Sequence, residues 1–345
     1  MKISFIKNSL YLIIFFIVSP EIICDSFGKV SREEKSINSN LLNNMNEYII
    51  KELPHIRSVL IMRDDKIIFE KYYQGLNLNE YSDIASVTKS FISALIGIAI
   101  NEGYIKSVNE NIIEFFPEYL NSDIDSRFTQ ITISHLLTMS SGLEWNDFKL
   151  PKNVDFSNRI NVFFNLDFSD EPGKQFNYNS LGIYILSVIL TKSTEMSTKE
   201  FADKYLFSLI DIHEYKWTTS MGYYHGGHGM SFKTRDLAKF GSLYLNNGVW
   251  NNRQLIPTHY INSSTHKQND GGFPENESYG YLWWITSINN INAYFAAGHG
   301  GQFIYVVPEF SLVIIITSNT DKSHIENRKI VKKFIIPSIY EDIGK

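Results

Sequence analysis

The chain lacks several features that would place it quickly. Its 345 residues include one cysteine, Cys24. That excludes a disulfide framework, a thiol nucleophile in the body of the chain and a cysteine-built zinc site. Positive charge is not in excess: the net charge is −5, and no basic stripe is evident, which argues against a nucleic-acid partner. The run Arg328–Lys333 (RKIVKK) reads as the wet face of a C-terminal helix. There is no H-E-x-x-H metal motif and no internal repeat. The apolar run near the N-terminus, Leu10–Val18 (LYLIIFFIV), is too short for a comfortable membrane span. With Lys2 and Lys7 ahead of it, residues 1–24 read as a signal peptide, which implies a periplasmic or secreted protein. Glu21-Ile22-Ile23 before Cys24 matches a lipoprotein signal poorly, and a retained membrane anchor is the alternative. Residues 25–46 are polar and read as a linker, leaving 47–340 as the folded domain.

What is abundant is apolar surface. At 43% hydrophobic and 14% aromatic residues, the chain can bury a large core in one big domain or two lobes. Arg57–Met62 and Lys66–Tyr73 are β-rich runs joined by Asp64-Asp65, a hairpin signal. Both faces of these strands carry apolar residues, so the sheet is expected to be covered on both sides. A long, mainly helical stretch follows, with Thr132 capping a short helix through Met139, an apolar helix over Leu181–Leu190, and a helix over Thr234–Asn247 closed by Gly248. Strand character returns at Tyr281–Ile285, Tyr294–Ala297, Gln302–Val307 and Leu312–Ser318, with Pro308-Glu309 turning between the last two. An amphipathic helix from Ile325 to Ile335 closes the chain.

The stretch with chemistry in it is Ser86-Val87-Thr88-Lys89, which opens a helix so apolar that it must be buried. A core helix has no use for lysine, because an unpaired buried ammonium is expensive. Lys89 follows Ser86 by three residues, on the same face of the first turn. Desolvation lowers the proton affinity of an amine, and a helix N-terminus favours developing negative charge. The pair reads as an activated nucleophile. The spacing alone is weak: it recurs at Ser4–Lys7, Ser26–Lys29 and Ser264–Lys267 without such context.

Three stretches in order resemble the serine β-lactamase-like hydrolases, which include class C β-lactamases, penicillin-binding D,D-peptidases and related esterases and amidases. They are Ser86–Lys89, Pro172–Ser180 (PGKQFNYNS) and Gly298–Pro308 (GHGGQFIYVVP). His135–Trp145 (HLLTMSSGLEW) and Arg235–Ile256 are similar to the branch that contains 6-aminohexanoate-dimer hydrolase. The resemblance implies an α/β (α+β) fold: an antiparallel sheet formed from both chain ends and flanked by helices, with an inserted all-helical lobe. It implies hydrolysis of an amide or ester through an acyl-enzyme on Ser86, with Lys89 and Tyr178 as general base and acid. The backbone N–H groups of Ser86 and Gln302 are then expected to form the oxyanion hole, with Ser180, His299, Gly300 and Gly301 contacting substrate. Ser180 stands where the family usually has asparagine. His299 stands where penicillin-recognising relatives carry lysine, which predicts poor use of carboxylate-bearing substrates. No metal or organic cofactor is implied. The alternative is a non-turnover protein on the same fold that binds cell-wall peptides or penicillins.

The remaining polar candidates read as structural. His225-Gly226-Gly227-His228-Gly229 reads as a connecting segment, and Glu144 and Asp147 as surface loop. Trp145, Trp283 and Trp284 fit either the core or a pocket wall.

Overall fold

The structure is a computed structural model that describes residues 37–120, 123–149, 158–320 and 325–343. The expected signal peptide, Cys24 and most of the expected linker lie outside these residues. Among the described residues no helix is long and apolar enough to cross a membrane.

An eight-stranded antiparallel sheet joins the two ends of the chain. Its strands in chain order are β1 (Ile56–Arg63), β2 (Lys66–Tyr72), β3 (Asn269–Gly272), β4 (Glu277–Tyr279), β5 (Trp284–Ile288), β6 (Ile291–Gly298), β7 (Gln302–Val307) and β8 (Leu312–Ser318). The spatial order is β3-β4-β5-β6-β7-β8-β1-β2, so the N-terminal hairpin docks on the last strand of the C-terminal meander. The register pairs Leu60 with Ile315, and Ile315 with Ile304. Every residue of β7 and β8 is buried, as expected of central strands covered on both faces.

Among the described residues the four longest helices are α1 (Ser39–Glu52), α2 (Thr88–Asn101), α3 (Ser180–Thr194) and α4 (Thr234–Leu245). Helix α4 lies on one face of the sheet, where Gly241 comes so close that a Cβ there would meet Val313 at 2.5 Å. On the opposite face Arg328 sits over the ring of Phe295, 4.8 Å from its centroid, and pairs with Glu275 and Glu277. Helix α1 joins the C-terminal segment there, with the Asn38 N–H donating to Ser338 O and Tyr48 against Phe334. This helix begins inside the stretch read as linker. Its polar composition hides three buried residues, Leu42, Met45 and Ile49, spaced for one helical face.

The region between β2 and β3 is mainly helical. It is not wholly so, because it also holds a three-stranded ladder (Tyr81–Asp83, Met230–Lys233, Lys216–Trp217) and two short hairpins. The expected strand at Tyr281–Ile285 begins later, at Trp284. Tyr281 and Leu282 instead give their N–H groups to Ser264 O and Leu137 O, which ties the turn to the helical region. The helix after Thr132 ends at Leu137, two residues earlier than expected, and Met139 takes a left-handed φ of 56°.

Candidate active site

The small ladder sets up the site. Its strand Tyr81–Asp83 delivers the chain to a 3₁₀ turn, Ala85–Val87, which runs directly into α2. Ala85 carries φ 44°, and its N–H donates to Asp83 Oδ1 at 2.8 Å. A non-glycine residue held in the left-handed region is strained, and such strain concentrates where a side chain must be presented in one direction. Here the residue presented is Ser86, half-buried at the edge of a cavity of about 410 Å³.

Lys89 lies beneath it, 2% exposed. Its Nζ donates to Ser86 Oγ at 2.8 Å and to the Gly227 carbonyl at 2.7 Å. It also sits 4.8 Å from the centroid of the Tyr178 ring. Burial lowers the Lys89 pKa to about 8, with the Asp147 carboxylate pulling the other way. Tyr178 is shifted upward by burial, only partly countered by its hydrogen bond with Ser86. The two partners of Ser86 therefore move apart: the amine becomes easier to deprotonate and the phenol harder.

Tyr178 is placed by a loop pinned to the segment around Met139. The Asn177 N–H donates to Met139 O at 2.7 Å, and its side-chain amide donates to Leu143 O at 2.9 Å. Asn179 then caps α3 by accepting from the Gly182 N–H at 3.0 Å. Ser180 does not reach Lys89. Its hydroxyl donates to Asp147 Oδ2 and its N–H to both Asp147 oxygens, and Oδ1 also accepts from Trp145 Nε1. Asp147 thus lines the cavity, contrary to its reading as surface loop, while Glu144 is exposed as expected.

The segment His225–Gly229 also belongs to the site. The Ile84 N–H donates to Met230 O at 3.1 Å, which draws the glycine loop across α2 and leaves Gly227 O over Lys89. A Cβ at Gly226 would stand 2.2 Å from Ile183 O, so only glycine permits this approach to α3. His225 and His228 line the cavity with rings stacked at 4.4 Å. Burial and the neighbouring His228 lower the His225 pKa to about 4, and burial with the Lys89 charge lowers that of His228. Among the described residues no group of three His, Cys, Asp or Glu side chains converges as a metal site.

The β6–β7 turn carries the remaining residues expected to contact substrate or to hold the oxyanion. The cavity is lined by Ala297, Gly298 and His299, whereas Gln302 is 1% exposed and its side-chain amide is spent on Ser318. Gly300 and Gly301 also turn away. A Cβ on either would fall within 2.5 Å of Thr320 Cα or 2.1 Å of Asn327 Nδ2, so these glycines admit a neighbouring stretch of chain rather than a ligand. Trp145 and Trp284 prove to be cavity walls, and Trp283 is core. Phe148, Arg159, Tyr184, Pro274 and Glu275 also line the cavity without having been singled out in the sequence.

With this geometry in place, the chain can be compared with known proteins. The family model described as Beta-lactamase matches residues 50–332. The 6-aminohexanoate-dimer hydrolase of Paenarthrobacter ureafaciens is 23% identical over 288 residues, which cover 75% of this chain and 71% of that protein. A Bacillus anthracis structure provisionally assigned as a 6-aminohexanoate-dimer hydrolase superposes with a TM-score of 0.75 at 20% identity, covering 91% of this chain and 87% of the other. A class C β-lactamase solved with cefoxitin superposes at 0.70 and 16% identity, covering 87% and 99%.

Proposed function

Because the chain belongs to the Beta-lactamase family, we propose that it is a serine hydrolase that cleaves a neutral ester or amide through an acyl-enzyme on Ser86. The observation that carries this reading is the 2.8 Å contact between the Lys89 ammonium and Ser86 Oγ at the floor of an open cavity. The opposite pKa directions support the division of roles. Lys89, shifted down to about 8, is the group that can be neutral near physiological pH and take the Ser86 proton. Tyr178, shifted up, keeps its proton and is the donor to the leaving group. Ser86 Oγ bonds to the carbonyl carbon while its proton passes to Lys89 Nζ. The bond to the leaving group then breaks as the leaving atom takes the Tyr178 proton, which Lys89 replaces. Water reverses these steps on the acyl-enzyme.

The oxyanion needs two donors. The Ser86 N–H at the start of the 3₁₀ turn is one. We assign the other to the backbone N–H of His299 in place of Gln302. His299 follows Gly298, where a Cβ would be 2.3 Å from Ile84 O, so this end of β6 abuts the Ser86 turn. The N-terminal segment read as a signal peptide fits action outside the cytoplasm, on the 47–340 hydrolase domain extended back to Ser39.

The test compares a neutral short-chain ester with a penicillin at pH 8. Esters are expected to turn over and penicillins to do so poorly, since His299 gives the cavity mouth no permanent charge for a carboxylate. His299→Lys should raise kcat/KM for the penicillin by about one to two decades, the range of a charge-assisted hydrogen bond. Stoichiometric acylation with no turnover of any ester or amide, read by intact mass, would favour the non-turnover binder instead.

Asp147 offers a second check. Its carboxylate favours the charged form of Lys89, so Asp147→Asn should lower the Lys89 pKa further. The acid limb of kcat/KM against pH is then expected to move to lower pH, while the asparagine Oδ1 can still accept from Trp145 and the Ser180 N–H and the Ser180 hydroxyl can turn to accept from Nδ2. An unmoved limb would mean that Asp147 acts through loop structure alone.

A further inference from the structure

A second depression of about 280 Å³ adjoins the Ser86 cavity, and the two share Trp145, Asp147, Phe148 and Tyr178 as a common wall. Ser86 faces the first only. The second is formed by Phe148, Phe176, Phe273 and Tyr178 with Trp145, Asn146 and Asn177, over the backbone of Gly271 and Gly272. Asn146 accepts from the Phe148 N–H and Asn177 donates to Leu143 O, so both amides have partners within the wall. Phe148 and Phe273 come from different loops and meet edge to face with centroids 4.7 Å apart, and Phe148 also stacks over Tyr178 at 6.2 Å. They are nevertheless 56% and 61% exposed, two of a handful of large apolar side chains left to water among the described residues. Two neighbouring exposed rings at a cavity mouth leave burial energy for a ligand to recover. Gly272 keeps the floor open, since a Cβ there would press on Phe176 at 3.3 Å. Asp147 is the one charged side chain in this lining, and its oxygens already accept from Trp145 and Ser180. The walls therefore suit a flat, neutral, apolar group.

We propose that this depression is the leaving-group subsite and that it takes an aryl or arylalkyl group. The inference rests on the roles given above to Ser86 and Tyr178. The acyl carbon must stay on Ser86, in the first cavity, while the departing atom must reach the Tyr178 hydroxyl. Tyr178 is in the wall between the cavities, so the fragment beyond the scissile bond extends into the second. The carbon–oxygen bond breaks at the carbon held on Ser86, the departing oxygen takes the Tyr178 proton, and a neutral alcohol leaves through the second depression past Phe148 and Phe273.

The experiment uses two esters with one acyl group, benzyl butyrate and propyl butyrate, whose alcohols are of similar acidity and whose acyl-enzymes are identical. The wild-type protein is expected to prefer the benzyl ester in kcat/KM, and Phe273→Ala and Phe148→Ala should each cut that preference by about three- to tenfold, the range of one aromatic contact. Phe273→Tyr should retain it, and Leu78→Ala, exposed and in neither lining, should leave both rates alone. Benzyl alcohol should inhibit wild type more strongly than propanol, and this difference should shrink in Phe273→Ala. Ser86→Ala separates the two levels of the argument. If it silences both esters while the benzyl preference is the same with and without the Phe273 ring, the subsite is wrong and the serine reading stands. If both esters still turn over in Ser86→Ala, the serine reading falls and takes the subsite with it.

Discussion

Replacing Ser86 by alanine should lower ester hydrolysis by about a hundred-thousandfold or more, the scale on which deletion of a serine nucleophile acts. It should also abolish labelling by a fluorophosphonate. The expectation comes from the way the chain presents this hydroxyl. The strained φ of 44° at Ala85 aims Ser86 at the cavity, and Lys89 Nζ stands 2.8 Å from its oxygen. Two other serines are close enough in sequence or space to compete. Ser180 lines the cavity, but its hydroxyl is turned to Asp147, whereas Lys89 donates to Ser86. Ser141 is 5% exposed and is not among the cavity walls. Alanine in the turn before α2 removes one hydrogen bond to Lys89 and leaves the one to Gly227, so the variant should keep the fold, which a melting curve verifies. Peptide mapping of the labelled wild type should put the adduct on Ser86. An adduct on Ser180 or Ser141, or persistence of labelling in Ser86→Ala, would overturn the assignment.

Features with a short-range cause were legible in the sequence, and those with a long-range cause were not. Helix α2 announced itself through continuous apolarity, and Gly103 just past its end takes a left-handed φ of 78°, a conformation glycine adopts without strain. The β7–β8 hairpin was readable from two apolar runs around Pro308. Ser86 and Lys89 stood out because a charged group at the start of an apolar helix is locally conspicuous, and Tyr178 through the resemblance of its PGKQFNYNS stretch. Asp147 did not, because its environment is made by α3, which starts more than thirty residues later. The His225–Gly229 loop looked like a linker for the same reason. Its glycines permit contact with Ile183 and Ser180, and its carbonyl over Lys89 is delivered by strand pairing between Tyr81–Asp83 and Met230–Lys233. Trp283 and Trp284 could not be told apart in advance, since adjacent residues point oppositely once a strand begins and the starting point was misplaced. The preference for His299 over Gln302 as the second donor rests on a turn of three residues, where apolar periodicity carries no information about which N–H faces a ligand.

Lys89→Ala and Tyr178→Phe should each reduce the rate of acylation by on the order of a hundredfold or more, and the double variant should be little worse than the poorer single one. The reason is physical connection. Lys89 and Tyr178 each hydrogen-bond to Ser86, and the ammonium lies over the tyrosine ring, so either loss breaks the same proton path. The pH profile is set by the Lys89 shift. With a pKa of about 8, the amine is protonated below that value, and kcat/KM should rise about tenfold per pH unit up to it and level off above. This limb should disappear in Lys89→Ala. Stability supplies a control of opposite sign. Burial depresses the folded-state pKa below the ordinary lysine value of about 10.4, so the folded protein binds fewer protons than the unfolded chain between about 8 and 10.4. Stability from this group therefore rises with pH across that window, and below it the full cost of a buried ammonium is carried. A shift of that size is worth roughly 3 kcal/mol, offset by the acceptor at Gly227 that would lose its donor. Lys89→Met should thus compare best with wild type in Tm at pH 7, and its relative standing should decline toward pH 10.5. A double variant whose losses multiply would mean that lysine and tyrosine act in separate steps. A Tm difference independent of pH would mean that Lys89 is not held with a depressed pKa, and the assignment of the base would go with it.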